Sequence, residues 1–301
     1  MRLDALSPTH RQNTAVYNGP ERARFGMLPS MLPRIGGMAT MPSRATSLKQ
    51  ALPSILAQLD RLYIYLDKHA AVPPDLVGHD KIVPILPTPG DPSFMSSGKL
   101  LAISAHREPC LYFAFDDDIT YPPDYVNHMV AALRRHRFQA VVGMHGAAFN
   151  IPPLSYTKDR KVIHFQQARQ LDVFVDELGT GTFAFHSECL KFDIRQWEHH
   201  DMDDLMMMIE CIRQDVTRVS VRRPQNYLLA IEQNQVDSLH RASLADDSRQ
   251  TALLRATYAC YPADWFLAGW SIQIASCGAT VALAAGVKPE SIRSRGVNWL
   301  S

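Results

Sequence analysis

The residues best suited to chemistry are three consecutive carboxylates, Asp116, Asp117 and Asp118, in the stretch LYFAFDDDITYPPDY at positions 111–125. They follow an apolar run that reads as a buried strand. Ionised carboxylates side by side repel one another, and removing them from water adds to the cost. Something cationic has to compensate them. A divalent ion would do so: magnesium and manganese take hard oxygen ligands, need only one or two protein carboxylates, and keep positions open for phosphate oxygens. Such an ion neutralises the charge that develops on a diphosphate leaving group. The bland alternative is an acidic loop, since aspartate is common at strand ends and turns.

These carboxylates need a frame. RIGGMAT (34–40), RLYIYLD (61–67), DKIVPIL (80–86), CLYFAF (110–115) and QAVVGMHG (139–146) read as strands. Between them, Leu48, Leu52, Ile55, Leu56 and Leu59 fall at helical spacing, with Pro53 predicted to kink the helix. KLLAISAHR (99–107) and PPDYVNHMVAALRRH (122–136) read as further helices, the second opening on proline. Strands alternating with helices predict an α/β fold with a mostly parallel sheet covered on both faces. In such sheets ligands sit outside the carboxyl ends of the strands. Asp67 and Asp116 to Asp118 all fall at such ends. Further on, TGTFAFHS (180–187) and TRVSVRR (217–223) read as strands and MDDLMMMIECIRQ (202–214) as a helix. Residues 1–33 read as an irregular arm, and the chain past about 240 as a helical extension.

The composition is that of a globular protein with a real core: 46% apolar, 20% charged, net charge +1 over 301 residues. No basic tract points to nucleic acid. Five cysteines without CxxC spacing predict free thiols in a reducing compartment. The N-terminus shows no apolar leader, so a cytoplasmic location is expected. Between Asp264 and Lys288 no charged residue occurs, but glycines, serines, a threonine and a glutamine dilute the stretch. Residues 265–287 are therefore expected to touch a membrane from the side, at its inner face, or to pack inward, rather than to span it.

The ordered motifs GGMATMPSRATSLKQALPSILAQLDRLYIYLD (36–67), SSGKLLA (96–102), FDDDITYPPDY (115–125), VVGMHG (141–146), LGTGTFAFH (178–186) and MDDL (202–205) resemble the inverting GT-A-fold glycosyltransferases of the family-2 type. The likeness is to a bacterial subgroup tied to surface polysaccharide synthesis and covers about 34–230. It implies a GT-A catalytic domain at 34–240, with a nucleotide-sugar half at about 34–146 and an acceptor half at about 147–240. It implies a nucleotide diphosphate sugar donor, a glycan or lipid-linked acceptor, and Mn2+ or Mg2+ as cofactor. Asp118 would be the metal ligand of the DxD-type motif, with Asp116 beside it at the ribose and diphosphate. Asp67 would contact the nucleoside, and Asp117 the same region. Arg44 and Lys99 could face the nucleotide, although an ordinary surface role would serve either residue as well.

Inverting transfer also needs a base to take the acceptor hydroxyl proton. HHDMDDLMMM offers Asp201, Asp203 and Asp204 at a helix start. The resemblance favours Asp204, then Asp203. The helix N-terminus is expected to favour the ionised form, and acids there also serve as ordinary caps. GTGT (179–182) could let backbone approach a sugar or phosphate, or simply form a tight turn. His145, His164 and His186 lie near these motifs, as ligand contacts or as satisfied structural histidines. No Gln/Arg-x-x-Arg-Trp motif is present; RRPQNYL (222–228) is a distant echo, which argues against a processive polymerase. Two rival functions remain. Asp116, Asp118 and Thr120 spell the Asp-x-Asp-x-Thr pattern of haloacid dehalogenase-like phosphatases, though two or three strand–helix units precede it. The other is a non-catalytic membrane-associated protein acting through 265–287.

Overall fold

The computed structural model describes residues 32–106, 108–150, 152–231 and 243–261. The arm up to residue 31 and the 265–287 stretch lie outside these residues. Alternation of apolar residues along β4 (Leu111–Asp116) sets the plan. Leu111, Phe113 and Phe115 join one buried cluster and Tyr112 and Ala114 the other, as a two-residue period demands of a strand covered on both faces.

β4 sits at the centre of an eight-stranded sheet. On one side lie β1 (Arg34–Thr40), β2 (Arg61–Leu66) and β3 (Ile82–Ile85), paired in parallel in the order β3-β2-β1-β4. On the other side follow β11 (Phe183–His186), β6 (Ala140–Gly143), β12 (Thr217–Ser220) and β9 (Val173–Phe174). β11 is antiparallel to both β4 and β6, while β12 is parallel to β6 and antiparallel to β9. Thus β1, β2, β3, β4, β6 and β12 run one way, and only β11 and β9 oppose them.

Helices cover both faces. α1 (Ala45–Leu56) and α3 (Tyr125–Arg135) bury Leu48, Ala51, Ile55, Val126, Met129 and Leu133 in the cluster of Phe113 and Phe115. α2 (Leu101–Ala105) and α4 (Asp203–Arg213) close the other face, α4 through Met206, Met207 and Cys211. The fold is therefore α/β with a large, mainly parallel sheet flanked by helices, consistent with the expected GT-A, Rossmann-like arrangement. α1 continues through Pro53 to Leu56. The proline falls in the last turn, where it forgoes its own bond to the Lys49 carbonyl and little helix follows to be displaced.

Smaller sheets extend the frame. β7 (Gly146–Phe149) pairs with β8 (Arg160–Ile163) and β10 (Glu177–Leu178). β5 (Ile119–Thr120) pairs with β13 (Leu229–Ala230). Past 240, α5 (Ser248–Cys260) is helical as expected and packs Leu254 against Leu205, Met208 and Ile212 of α4. Cys110, Cys189, Cys211 and Cys260 are free thiols. Among the described residues no helix is long and apolar enough to cross a membrane.

Candidate active site

Six strands pointing one way deliver their carboxyl ends to one edge of the sheet. The reversal of β11 brings its lead-in, Gly179–Thr182, to that same edge. These four residues join the two halves of the site. The Thr180 N–H donates to Asp204 Oδ1 at 2.7 Å, and the Thr180 hydroxyl donates to Asp203 Oδ2 at 2.6 Å. Lys99 Nζ donates to Thr180 Oγ1 at 3.3 Å, lies 3.3 Å from Asp203 Oδ2, and is in close contact with Asp116 Oδ1. One buried ammonium therefore bridges the aspartate run at the end of β4 and the acidic start of α4.

Lys99 is held from behind. The Tyr112 hydroxyl donates to its carbonyl in a short bond, and Gly37 leaves room for both. Burial works against the charged form of Lys99, but the carboxylates of Asp116 and then Asp203 outweigh it and raise its pKa above the usual lysine range. Tyr121 fixes Asp116: its hydroxyl accepts from the Asp116 N–H at 2.9 Å and donates to the Gly181 carbonyl at 2.6 Å. A Cβ on Gly181 would land on the Asp116 carboxylate. Gly181 is thus a matter of close approach rather than of turn geometry. Gly181→Ala is expected to push Asp116 off Lys99 and cost about 1–3 kcal/mol. A fall of roughly 3–9 °C in Tm by circular dichroism would register it; an unchanged Tm would contradict this packing.

Each expected site residue sits at this edge. Asp118 Oδ2 lies 3.5 Å from Arg44 NH1. Burial, then the Asp116 charge, push Asp118 up to about 6, against the pull of Arg44. Asp117 is turned inward, accepting from the Thr40 hydroxyl at 2.6 Å at the end of β1. Burial, then its acidic neighbours, raise it to about 7 in spite of that bond. Asp67 is buried; it accepts from Ser93 Oγ at 2.5 Å, and its N–H donates to the Thr40 carbonyl at 2.8 Å. Arg44 and Lys99 are buried counter-ions, so the surface alternative is corrected for both. The reason is electrostatic: clustered carboxylates at the sheet edge draw in the nearest cations.

Two expectations for the second acidic run are also corrected. Asp203 and Asp204 do not cap their own helix; both carboxyls accept from Thr180. Nor does the helix N-terminus dominate the ionisation of Asp204. Burial, followed by the charges of Asp203 and Glu177, raises it to about 8, although it keeps some solvent access. Asp201 pairs instead with Arg249 of α5 at 2.8 Å. Among the histidines, His186 is buried on β11 and its Nδ1 accepts from the Glu188 N–H at 3.0 Å, a structural role. Tyr121 and Tyr112 went unsuspected, and Thr180 was singled out only for the glycines beside it, since a lone hydroxyl carries no distinctive pattern.

The residues present fit a divalent cation. Among the described residues, Asp67, Asp116, Asp117, Asp118, Asp203 and Asp204 share Lys99 and Arg44 as the counter-ions in contact with them. The unbalanced charge contributes to the raised pKa values of Asp117, Asp118 and Asp204. Asp116 and Asp118 keep 37% and 31% of their side chains exposed, so both can be reached from solvent. Among the described residues no group of three or more ligating side chains converges on one point. An ion here would complete its shell with phosphate oxygens and water, as hard dications do.

No protein-family model matches the chain, and no curated protein matches it. Among solved structures it is similar to the crystal structure of GalNAc-T7 with UDP, GalNAc and Mn2+. The identity is 8% and the TM-score 0.40, over 65% of this chain and 45% of that one. The chain thus spans less than half the length of that structure, and the functional reading rests on the site's own geometry.

Proposed function

We propose that the protein is a metal-dependent, inverting glycosyltransferase of the GT-A, family-2 type. It moves a sugar from a nucleotide diphosphate sugar to a hydroxyl of a glycan or lipid-linked acceptor, in the assembly of surface polysaccharide in the cytoplasm. The observation that carries this reading is the meeting of the two acidic runs through Lys99. A transferase needs a site for a diphosphate leaving group and, within a few ångströms, a base for the incoming hydroxyl. Residues 34–146 supply the first and 147–240 the second.

Asp118, with Asp116, would hold Mn2+ or Mg2+, and the ion would supply Lewis-acid stabilisation of the departing diphosphate. Asp67 and Asp117 shape the nucleoside side, and Arg44 fixes Asp118. Lys99 sets the spacing between Asp116 and Asp203. Asp204 takes the acceptor proton as the new C–O bond forms. Its raised pKa makes it a stronger base than an ordinary aspartate once it is deprotonated. Thr180, holding both Asp203 and Asp204, keeps that base in register with the donor.

The test is a panel of nucleoside diphosphates and nucleotide sugars with manganese or with EDTA, read as Tm. At 100 times Kd a ligand adds about 2.7 kcal/mol, or roughly 5–10 °C. A rise that needs manganese and vanishes in Asp118→Ala is expected. If no nucleotide raises Tm with any metal, or if a phosphoester is hydrolysed without a sugar nucleotide, the transferase reading falls.

A further inference from the structure

The candidate base needs a surface to present the acceptor hydroxyl to it, and a braced set of rings stands on the same segment. His145, just past β6, is tied twice to Gly179–Thr182. Its N–H donates to Thr182 Oγ1 at 3.0 Å, and its carbonyl accepts from the Gly179 N–H at 3.0 Å. Its side chain packs on Gly179, where a Cβ would come within 2.9 Å of the His145 Cβ. The next residue, Thr180, holds Asp204. His145 and the candidate base are therefore anchored to adjacent residues of one rigid segment.

His164 and Phe165, just past β8, complete the set. The His145 and His164 rings meet edge-on with centroids 5.3 Å apart, and the His164 and Phe165 rings lie 4.3 Å apart and tilted by 30°. All three residues are partly exposed. The backbone of His164 and Phe165 is held by Arg223, from the RRPQNYL stretch that the transferase reading leaves without a role. Arg223 NH2 donates to the His164 carbonyl at 2.8 Å, Nε to the Phe165 carbonyl at 2.9 Å, and NH1 to the Val221 carbonyl at 2.7 Å. The guanidinium is buried, and among the described residues no carboxylate pairs with it. NH1 also donates to Ser220 Oγ at 3.3 Å. A buried cation held only by neutral carbonyls and a hydroxyl is costly to keep. Here it fixes two neighbouring ring-bearing residues in place.

A pyranose has one face rich in C–H bonds, which the faces of phenyl and imidazole rings bind; His164 Nδ1 is itself engaged, accepting from the Gln166 N–H at 3.3 Å. We propose that His145, His164 and Phe165 form the acceptor subsite, taking one sugar ring of a glycan whose hydroxyl faces Asp204. Arg223 is a positioning residue for that surface. The inference rests on the transferase reading for its role, but not for its test.

The probe is a set of methyl glycosides of common hexoses and N-acetylhexosamines, titrated into the full chain while the histidine ring protons are followed by NMR. Saturable shifts of the His145 and His164 resonances are expected with at least one sugar. His164→Ala should weaken that binding at least fivefold, while leaving any manganese-dependent Tm shift by nucleotide unchanged. Arg223→Lys, which keeps the charge but not the three-carbonyl geometry, should weaken sugar binding in the same direction. Ring resonances that stay fixed with every sugar, in a protein that still binds nucleotide, overturn the subsite and leave the transferase reading intact. Ring shifts with sugar in a protein that binds no nucleotide uphold the subsite as a sugar site and overturn the transferase. A loss of nucleotide binding in His164→Ala also overturns the assignment, because the rings would then belong to the donor side.

Discussion

Replacing Lys99 with methionine is expected to lower stability by about 3–5 kcal/mol, a fall of roughly 6–15 °C in Tm. Methionine keeps the length and the apolar stem, so the change removes mainly the charge. Asp116 and Asp203, which both contact Nζ, would then face each other at a poorly hydrated sheet edge without their shared cation. Removing one member of a buried charge cluster costs more than the cluster contributes, because the remaining charges are left uncompensated. The deficit should shrink towards pH 5, where the uncompensated carboxyls can take up a proton instead. Lys99→Met with Asp116→Asn should recover more than half of it, giving a positive coupling in a double-mutant cycle. A single variant that melts within about 2 °C of wild type would show that this ammonium does not hold the two acidic runs together.

That prediction marks where sequence reading stopped. The sheet strands β1, β2, β3, β4 and β6 were legible because each is a short apolar run ending at a turn, and β4 alternates cleanly between two cores; the two-residue β5 is too short to show a pattern. The acidic run was legible because three adjacent carboxylates demand compensation. What compensates them was not. Lys99 stands 17 residues before Asp116 in a helical turn, and nothing local distinguishes it from a surface lysine. The link to the second acidic run depends on β11 lying antiparallel beside β4, which brings residues 179–182 to the active edge. A four-residue apolar strand carries no mark of its direction. The protonation of Asp204 was hidden for a related reason: its helix is visible in the sequence, but the burial and the Asp203 and Glu177 charges that override the helix end come from tertiary packing.

Asp204→Asn should separate catalysis from stability in opposite directions. As the base, Asp204 is worth about 10²–10⁴ in rate, so transfer should fall by about that factor, while the Thr180 N–H keeps an oxygen to bond. For wild type, the rate should rise with pH through about 8 as Asp204 loses its proton. Stability moves the other way. Asp204, Asp117 and Asp118 titrate near 8, 7 and 6 in the folded chain, against about 3.9 unfolded. From about pH 4 to pH 8 the native state therefore holds protons that the unfolded chain has released, and these groups make stability fall as pH rises. Five histidines, the partly buried His69, His106, His128 and His200 and the buried His186, are held below their usual range by desolvation and oppose this trend at lower pH. Their influence ends near pH 6.5, so the informative window is pH 6.5 to 8.5. Across it the wild-type Tm should drop by several degrees. Asp204→Asn, which has no charge to bury, should lose ~2 kcal/mol less across this window, so its Tm should gain about 4–8 °C on wild type between pH 6.5 and pH 8.5. Equal slopes in the two proteins would mean that Asp204 is ionised throughout, and the base would have to be sought elsewhere.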